Sequence, residues 1–211
     1  MKTARNEKEL EKIRERIIDG ALNIIVEKGL SGLTMRQLAS RIGMTAPNIY
    51  NYFPNKDALY LSIVIRGFEM LRKDLKRAYR CSSAPEKRVR AMIDAYMAFG
   101  IRHPRYYDIM FSRTTPRHND YVGTPFEKLS EIEYRISMDI AELANKAAGE
   151  LMGANATDED LRLRVIQIWS LLHGMIGLRN SDVVTYVAEN PGRIYSQLID
   201  EFIVIVRNST I

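Results

Sequence analysis

The chain has 211 residues, and its 31 Lys and Arg against 26 Asp and Glu give a formal net charge of +5. A hydrophobic fraction of 46% and a charged fraction of 27% are typical of a globular protein, which excludes collagen-like repeats and wholesale disorder. With 12 Gly and 7 Pro, the chain is also too poor in turn residues for an all-β fold. At about 100–200 residues per domain, this length predicts one large domain or two modest ones.

The composition favours a cytoplasmic protein with no membrane partner. A single cysteine, Cys81, cannot form an internal disulfide. The first 16 residues are rich in charge, and no apolar signal-peptide core follows them. The apolar run at 202–206 has five residues, whereas a membrane span needs about 20.

Apolar residues recur at helical spacing along nearly the whole chain, and sustained strand alternation is absent from the sequence. We therefore predict an all-α fold with about nine helices. Capping residues, glycines and prolines place them at 9–28, 34–42, 45–51, 56–80, 86–102, 104–112, 124–152, 157–178 and 191–207. The stretch 113–123, which contains Pro and Gly, predicts an irregular loop.

The two short helices within 34–53 are joined by a tight turn at Gly43. Thr34 and Thr45 are the predicted N-caps, and small Ala39 allows the helices to cross closely. The positions that can pack inward hold Leu38, Ile42, Ile49 and Phe53. This arrangement predicts a helix-turn-helix, which places its second helix in a DNA major groove. A helical adaptor that uses the same corner for protein contacts is the alternative.

The outward side of the second helix has no acidic residue. It holds Thr45, Ala46, Pro47, Asn48, Tyr50, Asn51 and Tyr52. Small groups can approach a thymine methyl, and hydroxyls and amides can bond to bases or phosphates. Free backbone N–H groups at the two helix starts also suit phosphate. This chemistry favours DNA as the partner.

Residues 29–59 resemble the TetR family of bacterial transcriptional regulators. The matching segments are Gly-Leu-Ser-Gly-Leu-Thr-Met-Arg-Gln-Leu-Ala, Ile-Gly-Met-Thr-Ala-Pro-Asn-Ile-Tyr-Asn-Tyr-Phe and Asn-Lys-Asp-Ala-Leu. The resemblance implies phosphate contacts by Thr34 and Lys56 and a base or backbone contact by Arg36. It places 45–48 in the leading turn of the recognition helix and 50–52 at the groove and the phosphates. Ala46-Pro47 and Asn51 depart from the residues common in the family, which bears on the DNA sequence bound.

The C-terminal half resembles a TetR subclass marked by Trp, His and Gly, through the segments 103–111 and 169–174. The resemblance implies a DNA-binding domain at 1–55 and an effector-binding and dimerisation domain at 56–211. The candidate effector residues are Tyr96, Phe99, His103, Tyr106, Tyr107, Met110, Phe111, Trp169 and His173. Apolar walls with a few polar groups are typical of a small-molecule site. The alternative is that these residues form an ordinary core, with the two histidines bonded to each other or to the backbone.

Helices 157–178 and 191–207 are apolar on more than one side. In the second helix, one stripe consists of Ile194, Leu198, Phe202 and Ile205, and its neighbour consists of Tyr195, Ile199, Ile203 and Val206. A helix at the edge of a monomer needs only one buried face. We therefore predict a two-fold homodimer through these helices, the alternative being that both are central in the monomer core.

Enzymatic motifs are missing from the sequence: Gly29 and Gly32 lack the Gly-Lys-Ser/Thr of a phosphate loop, and Cys81 has no nearby His. A metal site from His103, His118, His173 and a carboxylate has no supporting spacing, so we predict neither metal nor cofactor.

The predicted function is a transcriptional regulator, most simply a repressor. It would bind an inverted-repeat DNA operator as a homodimer and be released by an unidentified small-molecule effector. The charge distribution agrees, since residues 1–80 hold 16 Lys and Arg against 9 Asp and Glu, whereas 81–211 hold 15 against 17.

Overall fold

A computed structural model describes residues 7–208, which form ten α-helices and no strand. These are α1 Glu7–Lys28, α2 Met35–Arg41, α3 Ala46–Tyr50, α4 Lys56–Tyr79, α5 Pro85–Arg102, α6 Pro104–Tyr107, α7 His118–Tyr121, α8 Glu127–Met152, α9 Asp158–Asn180 and α10 Pro191–Asn208. The all-α prediction is confirmed. The extra helix is α7, which lies in the stretch predicted to be an irregular loop. Across residues 7–208, every helix is too short or too polar to cross a bilayer.

The chain divides into two compact units. Unit 1 comprises the described residues up to Phe68 together with Arg105–Arg135, and unit 2 comprises Glu69–Pro104 and the residues from Ile136 onward. Helices α4 and α8 each run through both units. The functional boundary between residues 55 and 56 stays a prediction. Unit 1 contains residues from both sides of that boundary, because it includes residues up to Phe68 and Arg105–Arg135.

The core of unit 1 forms where the apolar faces of α1 and α4 are buried. On α1 the buried side chains include Ile17, Ala21, Leu22, Ile24 and Ile25, which recur at helical spacing. On α4 the side chains of Leu59 and Ile63 are fully buried. Burying each such Leu or Ile side chain contributes about 1.5–3 kcal/mol.

The segment that follows α6 closes unit 1. Asp108–Ser112 continue α6 as a π-helical turn, although the sequence predicted one regular helix over 104–112. Arg113 forms an ion pair with Asp108, and its Nη2 donates to the Val26 carbonyl at 2.6 Å. On the α4 side, a Cβ at Gly67 would lie only 2.5 Å from Sδ of Met110, so a larger residue there would force the Met110 side chain to shift.

Unit 2 contains α5, α9 and α10 packed together, with Phe99 of α5 and Ile176 of α9 fully buried. Arg90 ties α5 to α10 because its guanidinium pairs with Asp200 and donates to Ser196 Oγ at 2.9 Å. The turn before α9 is fixed by a capping box between Thr157 and Asp160.

Candidate nucleic-acid interface

Helices α2 and α3 form the predicted corner. Thr34 caps α2, since its Oγ1 accepts a hydrogen bond from the Gln37 backbone N–H at 3.1 Å. Gly43 turns the chain at φ +63°, a left-handed conformation that costs other residue types roughly 1–2 kcal/mol. The predicted inward residues Leu38, Ala39, Ile49 and Phe53 are buried, and Ile42 is half-buried. The corner is therefore packed as a helix-turn-helix.

The outward surface of α3 presents polar and aromatic groups to solvent. Tyr50 is 51% exposed, and the side chains around it are exposed at Thr45, Pro47 and Asn51 and half-buried at Ala46, Asn48 and Tyr52. Thr45 occupies the N-cap position of α3 but makes no side-chain capping bond, so the predicted side-chain cap was wrong. The backbone alone closes the first turn of α3, because the Asn48 and Ile49 N–H groups donate to the Thr45 carbonyl.

The start of α4 is held from two sides. Asn55 caps the helix, since its Oδ1 accepts from the Ala58 N–H at 2.9 Å, and this places Lys56 at the first helical position. The buried Tyr121 of α7 donates its hydroxyl to Asp57 at 3.3 Å, and burial raises the pKa of this phenol. The role of Tyr121 was not predictable from the sequence, because nothing local links it to a residue 64 positions away.

Arginines of α1 brace the corner. The Arg14 guanidinium lies 5.3 Å from the Phe53 ring centroid, and Nη2 is 3.5 Å from the Tyr52 carbonyl. Arg16 donates to the Ile42 carbonyl at the end of α2. These arginines were also missed, since the charge-rich start of the sequence does not show which cations reach the corner.

Two open grooves flank α2, and both have polar, cationic linings. The first has a volume of about 540 Å³ and is lined by Glu27, Lys28, Thr34, Arg36, Gln37, Ser40 and Arg41. The second has a volume of about 500 Å³ and is lined by Arg16, Gly20, Asn23, Arg41, Ile42 and Gly43. The predicted contacts Thr34 and Arg36 therefore share one groove, whose lining suits an anionic ligand.

The candidate effector residues fall into two groups, one in each unit. In unit 2, Trp169 Nε1 donates to the Tyr96 hydroxyl at 2.7 Å, and that hydroxyl lies 3.3 Å from His173 Nε2. Burial lowers the pKa of His173. The His103 ring contacts Phe99 in the same unit, with centroids 5.3 Å apart.

The second group lies in unit 1. Tyr107 contacts Phe111, with ring centroids 5.1 Å apart, while Tyr106 and Met110 lie over Gly67. The Tyr106 hydroxyl is buried with no hydrogen-bond partner among the described residues. Both groups contribute to the packing of their own unit, and an effector role for them stays a prediction.

Helices α9 and α10 each expose an apolar face. On α9, Ile166 is 59% and Trp169 46% exposed, while Leu172, Met175 and Ile176 are buried. On α10, the predicted stripe Tyr195, Ile199, Ile203 and Val206 is buried, whereas Ile194 and Ile205 of the other stripe are exposed. Both helices thus fill the core of unit 2 and still present apolar side chains to solvent.

Two family profiles match the chain: bacterial regulatory proteins of the tetR family over residues 17–63, and the tetracyclin repressor-like C-terminal domain over residues 89–202. The chain belongs to the TetR family. It is thus a DNA-binding transcriptional regulator by family, and the packed corner at 34–53 is its helix-turn-helix.

The curated relatives include both an activator and a repressor. The chain is 28% identical over 112 residues to the transcriptional activator FasR of Mycolicibacterium smegmatis. The aligned segment covers 53% of this chain and 48% of FasR. It is 27% identical over 168 residues to the repressor KstR of the same species, which covers 71% of this chain and 82% of KstR. The match to FasR therefore spans about half of that protein's length.

Solved structures of bacterial regulators share the fold. A bacterial regulatory protein of the tetR family from Rhodococcus RHA1 superimposes with a TM-score of 0.72 at 15% identity, covering 92% of this chain and 96% of that one. The regulator FadR from Bacillus subtilis, in complex with stearoyl-CoA, gives a TM-score of 0.64 at 14% identity, covering 93% and 98%.

Proposed function

We propose that this TetR-family regulator binds an inverted-repeat operator in the cytoplasm as a homodimer, most simply as a repressor, and that a small-molecule effector releases it. The observation that carries the proposal is the solvent-facing, acid-free surface of the helix-turn-helix. The proposed DNA contacts are Thr34, Arg36, Thr45, Ala46, Pro47, Asn48, Tyr50, Asn51, Tyr52 and Lys56.

The charge of this surface supports DNA as the partner. From Lys28 to Lys56 the chain has four cations and no Asp or Glu. Arg36 and Lys56 are among the proposed DNA contacts, whereas Arg41 is paired with Glu27. An ordinary solvated surface mixes both signs of charge. A surface of cations, amides and hydroxyls around an exposed Tyr50 matches what phosphates and base edges require.

A second copy of the chain is the proposed partner for α9 and α10. Exposed Ile166, Trp169 and Ile205 would be costly in solvent but suit an isologous interface, in which the same patch meets itself. Such a two-fold dimer would place two recognition helices in successive major grooves, about 34 Å apart on one face of the DNA.

The proposed effector would act by population shift. It would bind near the predicted aromatic and histidine residues and favour a conformation that fits the operator poorly, weakening DNA binding only by its preference for that state. The long α4 is the proposed lever because it runs through both units. The assignment of the C-terminal half to the TetR subclass marked by Trp, His and Gly is part of this proposal. Stearoyl-CoA, which FadR holds, is one of the probes for a first screen.

Selection of duplexes from a random pool by the purified full chain tests this function. We expect enrichment of two inverted half-sites about one helical turn apart, with two chains bound per duplex. The control pool carries the enriched half-site in direct orientation, which a two-fold dimer binds less tightly. Weak binding without enrichment and with little salt dependence would instead favour the adaptor role.

A further inference from the structure

The groove that Thr34 and Arg36 line contains one carboxylate, that of Glu27 at the end of α1. Glu27 holds Arg41 in a two-point ion pair: Arg41 Nη1 donates to Oε2 at 2.7 Å and Nη2 donates to Oε1 at 2.6 Å. This hydrogen bonding lowers the pKa of Glu27, so the carboxylate stays ionised at neutral pH. Both side chains are well exposed, at 48% for Glu27 and 38% for Arg41.

Arg41 also lines the second groove, beside Arg16 and Gly43, so its guanidinium lies between the two surfaces. A cation there would be positioned to neutralise a phosphate. The fork of Arg41 is instead matched to the two oxygens of Glu27, the geometry that an arginine also uses on a phosphate. A phosphate and Glu27 therefore compete for the same donors.

The ion pair has little value as a stabilising contact. Exposed pairs of this kind add little to folding stability, because solvent and salt screen them. α1 and α2 are packed by other means, since Leu38 and Ile24 are fully buried and Arg16 holds the Ile42 carbonyl. The main physical consequence of the pair is electrostatic.

We propose that Glu27 restrains unselective DNA binding by holding Arg41 away from phosphates and by keeping a negative charge in the predicted phosphate groove. The proposal rests on the DNA-binding function proposed above and identifies a residue that sets selectivity. Binding to any duplex is dominated by the number of phosphates neutralised, whereas base contacts decide selectivity. Removing one potential phosphate contact therefore weakens binding to any duplex and leaves the base contacts that decide selectivity unchanged.

The test is a salt titration with the full chain, a fluorescent duplex of random sequence and the variants Glu27→Gln, Arg41→Ala and the double variant. Glu27→Gln should bind the duplex several-fold more tightly and steepen the slope of log K against log salt by about 0.9, the value for one phosphate. Arg41→Ala alone should leave the slope as in the unmodified chain. The double variant should lose the gain in slope.

Glu131→Gln is the matched control, since it removes the same charge from an exposed ion pair with Arg135 in unit 1, outside both grooves. An equal gain in this control would reduce the effect to net charge and overturn the proposal. So would an unchanged slope in Glu27→Gln, or a slope reduced by about one unit in Arg41→Ala alone. If the unmodified chain shows no salt-dependent duplex binding, the proposed function itself fails. Circular dichroism melts check that every variant is folded.

Discussion

The indole N–H of Trp169 donates to the hydroxyl of Tyr96 across 2.7 Å, and the same hydroxyl lies 3.3 Å from Nε2 of His173. An indole N–H can only donate, so the Tyr96 oxygen accepts this bond. A neutral His173 ring with its proton on Nδ1 leaves Nε2 free to accept from the Tyr96 hydroxyl. Burial, which lowers the pKa of His173, favours that neutral form.

Tyr96→Phe should remove the acceptor of the Trp169 N–H while keeping the buried ring. We expect a loss of about 1 kcal/mol in the free energy of unfolding, the usual value of one such hydrogen bond. The tryptophan emission should change as well, and because the chain has one Trp it reports on this site alone. Tyr134→Phe, at an exposed ring, is the control. Identical emission and stability in Tyr96→Phe would show that the bond does not position Trp169.

Tyr50→Ala should weaken operator binding about 10- to 100-fold, as expected when about 1–3 kcal/mol of base contacts is lost. The fold should persist, because the side chain is half exposed. Anisotropy titration on the selected operator gives the affinity, and Tyr134→Ala serves as a control at a similarly exposed tyrosine of unit 1. A folded Tyr50→Ala protein with undiminished affinity would remove Tyr50 from the recognition surface.

Ile166→Glu should convert the proposed dimer to a monomer, because it places a charge in the centre of an apolar interface. Sedimentation velocity at micromolar concentration measures the change. Val122→Glu is the matched control, since Val122 is 55% exposed in unit 1 and outside the proposed interface. A dimer that survives Ile166→Glu would place the interface elsewhere, and a monomeric unmodified chain would contradict dimerisation altogether.

Glu133→Gln should stabilise the protein near neutral pH. Glu133 is only 8% exposed, and burial raises its pKa, although Arg117 and His118 oppose the shift. A raised pKa means that the folded state holds the proton more tightly than the unfolded state. Stability is therefore lost as pH rises from the ordinary glutamate range through the folded-state pKa.

Urea unfolding of both proteins between pH 4 and 8 checks this sign. The advantage of Glu133→Gln should be largest at the alkaline end and vanish toward pH 4, where Glu133 is protonated in both states. Glu131→Gln, at an exposed carboxylate two residues away, is the control for the loss of one negative charge from the same helix. A stability difference that is independent of pH would mean that the pKa of Glu133 is the same in the folded and unfolded states, which would contradict the effect of burial.

The helix-turn-helix could be predicted from the sequence because its determinants are local. Thr34 and Gln37 are one turn apart, and the turn at Gly43 lies between two apolar stripes. The contacts that brace it were not predictable, since Arg14, Arg113 and Tyr121 reach partners 38 to 87 positions away. The sequence shows which side chains can form ion pairs and hydrogen bonds, but their partners are determined only by the packing of the folded chain.

The aromatic residues illustrate the same limit. Residues 96–111 form one cluster in sequence, yet the division of the chain at Pro104 assigns Tyr96 and Phe99 to unit 2 and Tyr107 and Phe111 to unit 1. Helical periodicity marks these positions as apolar without indicating which core receives them. Most of the ten helices were predicted from the sequence. The π-helical turn and α7 were not, because both depend on contacts with distant residues.

The discontinuity of unit 1 has a consequence during protein synthesis. Its second stretch, Arg105–Arg135, is translated after Glu69–Pro104, which belongs to unit 2, so unit 1 cannot complete its core until Arg135 has emerged from the ribosome. A message cut short near codon 68 would yield a product in which the buried Tyr60 lacks the Pro116 carbonyl, the acceptor of its hydroxyl hydrogen bond. Without the second stretch the core of unit 1 stays incomplete, which favours proteolysis of such a fragment.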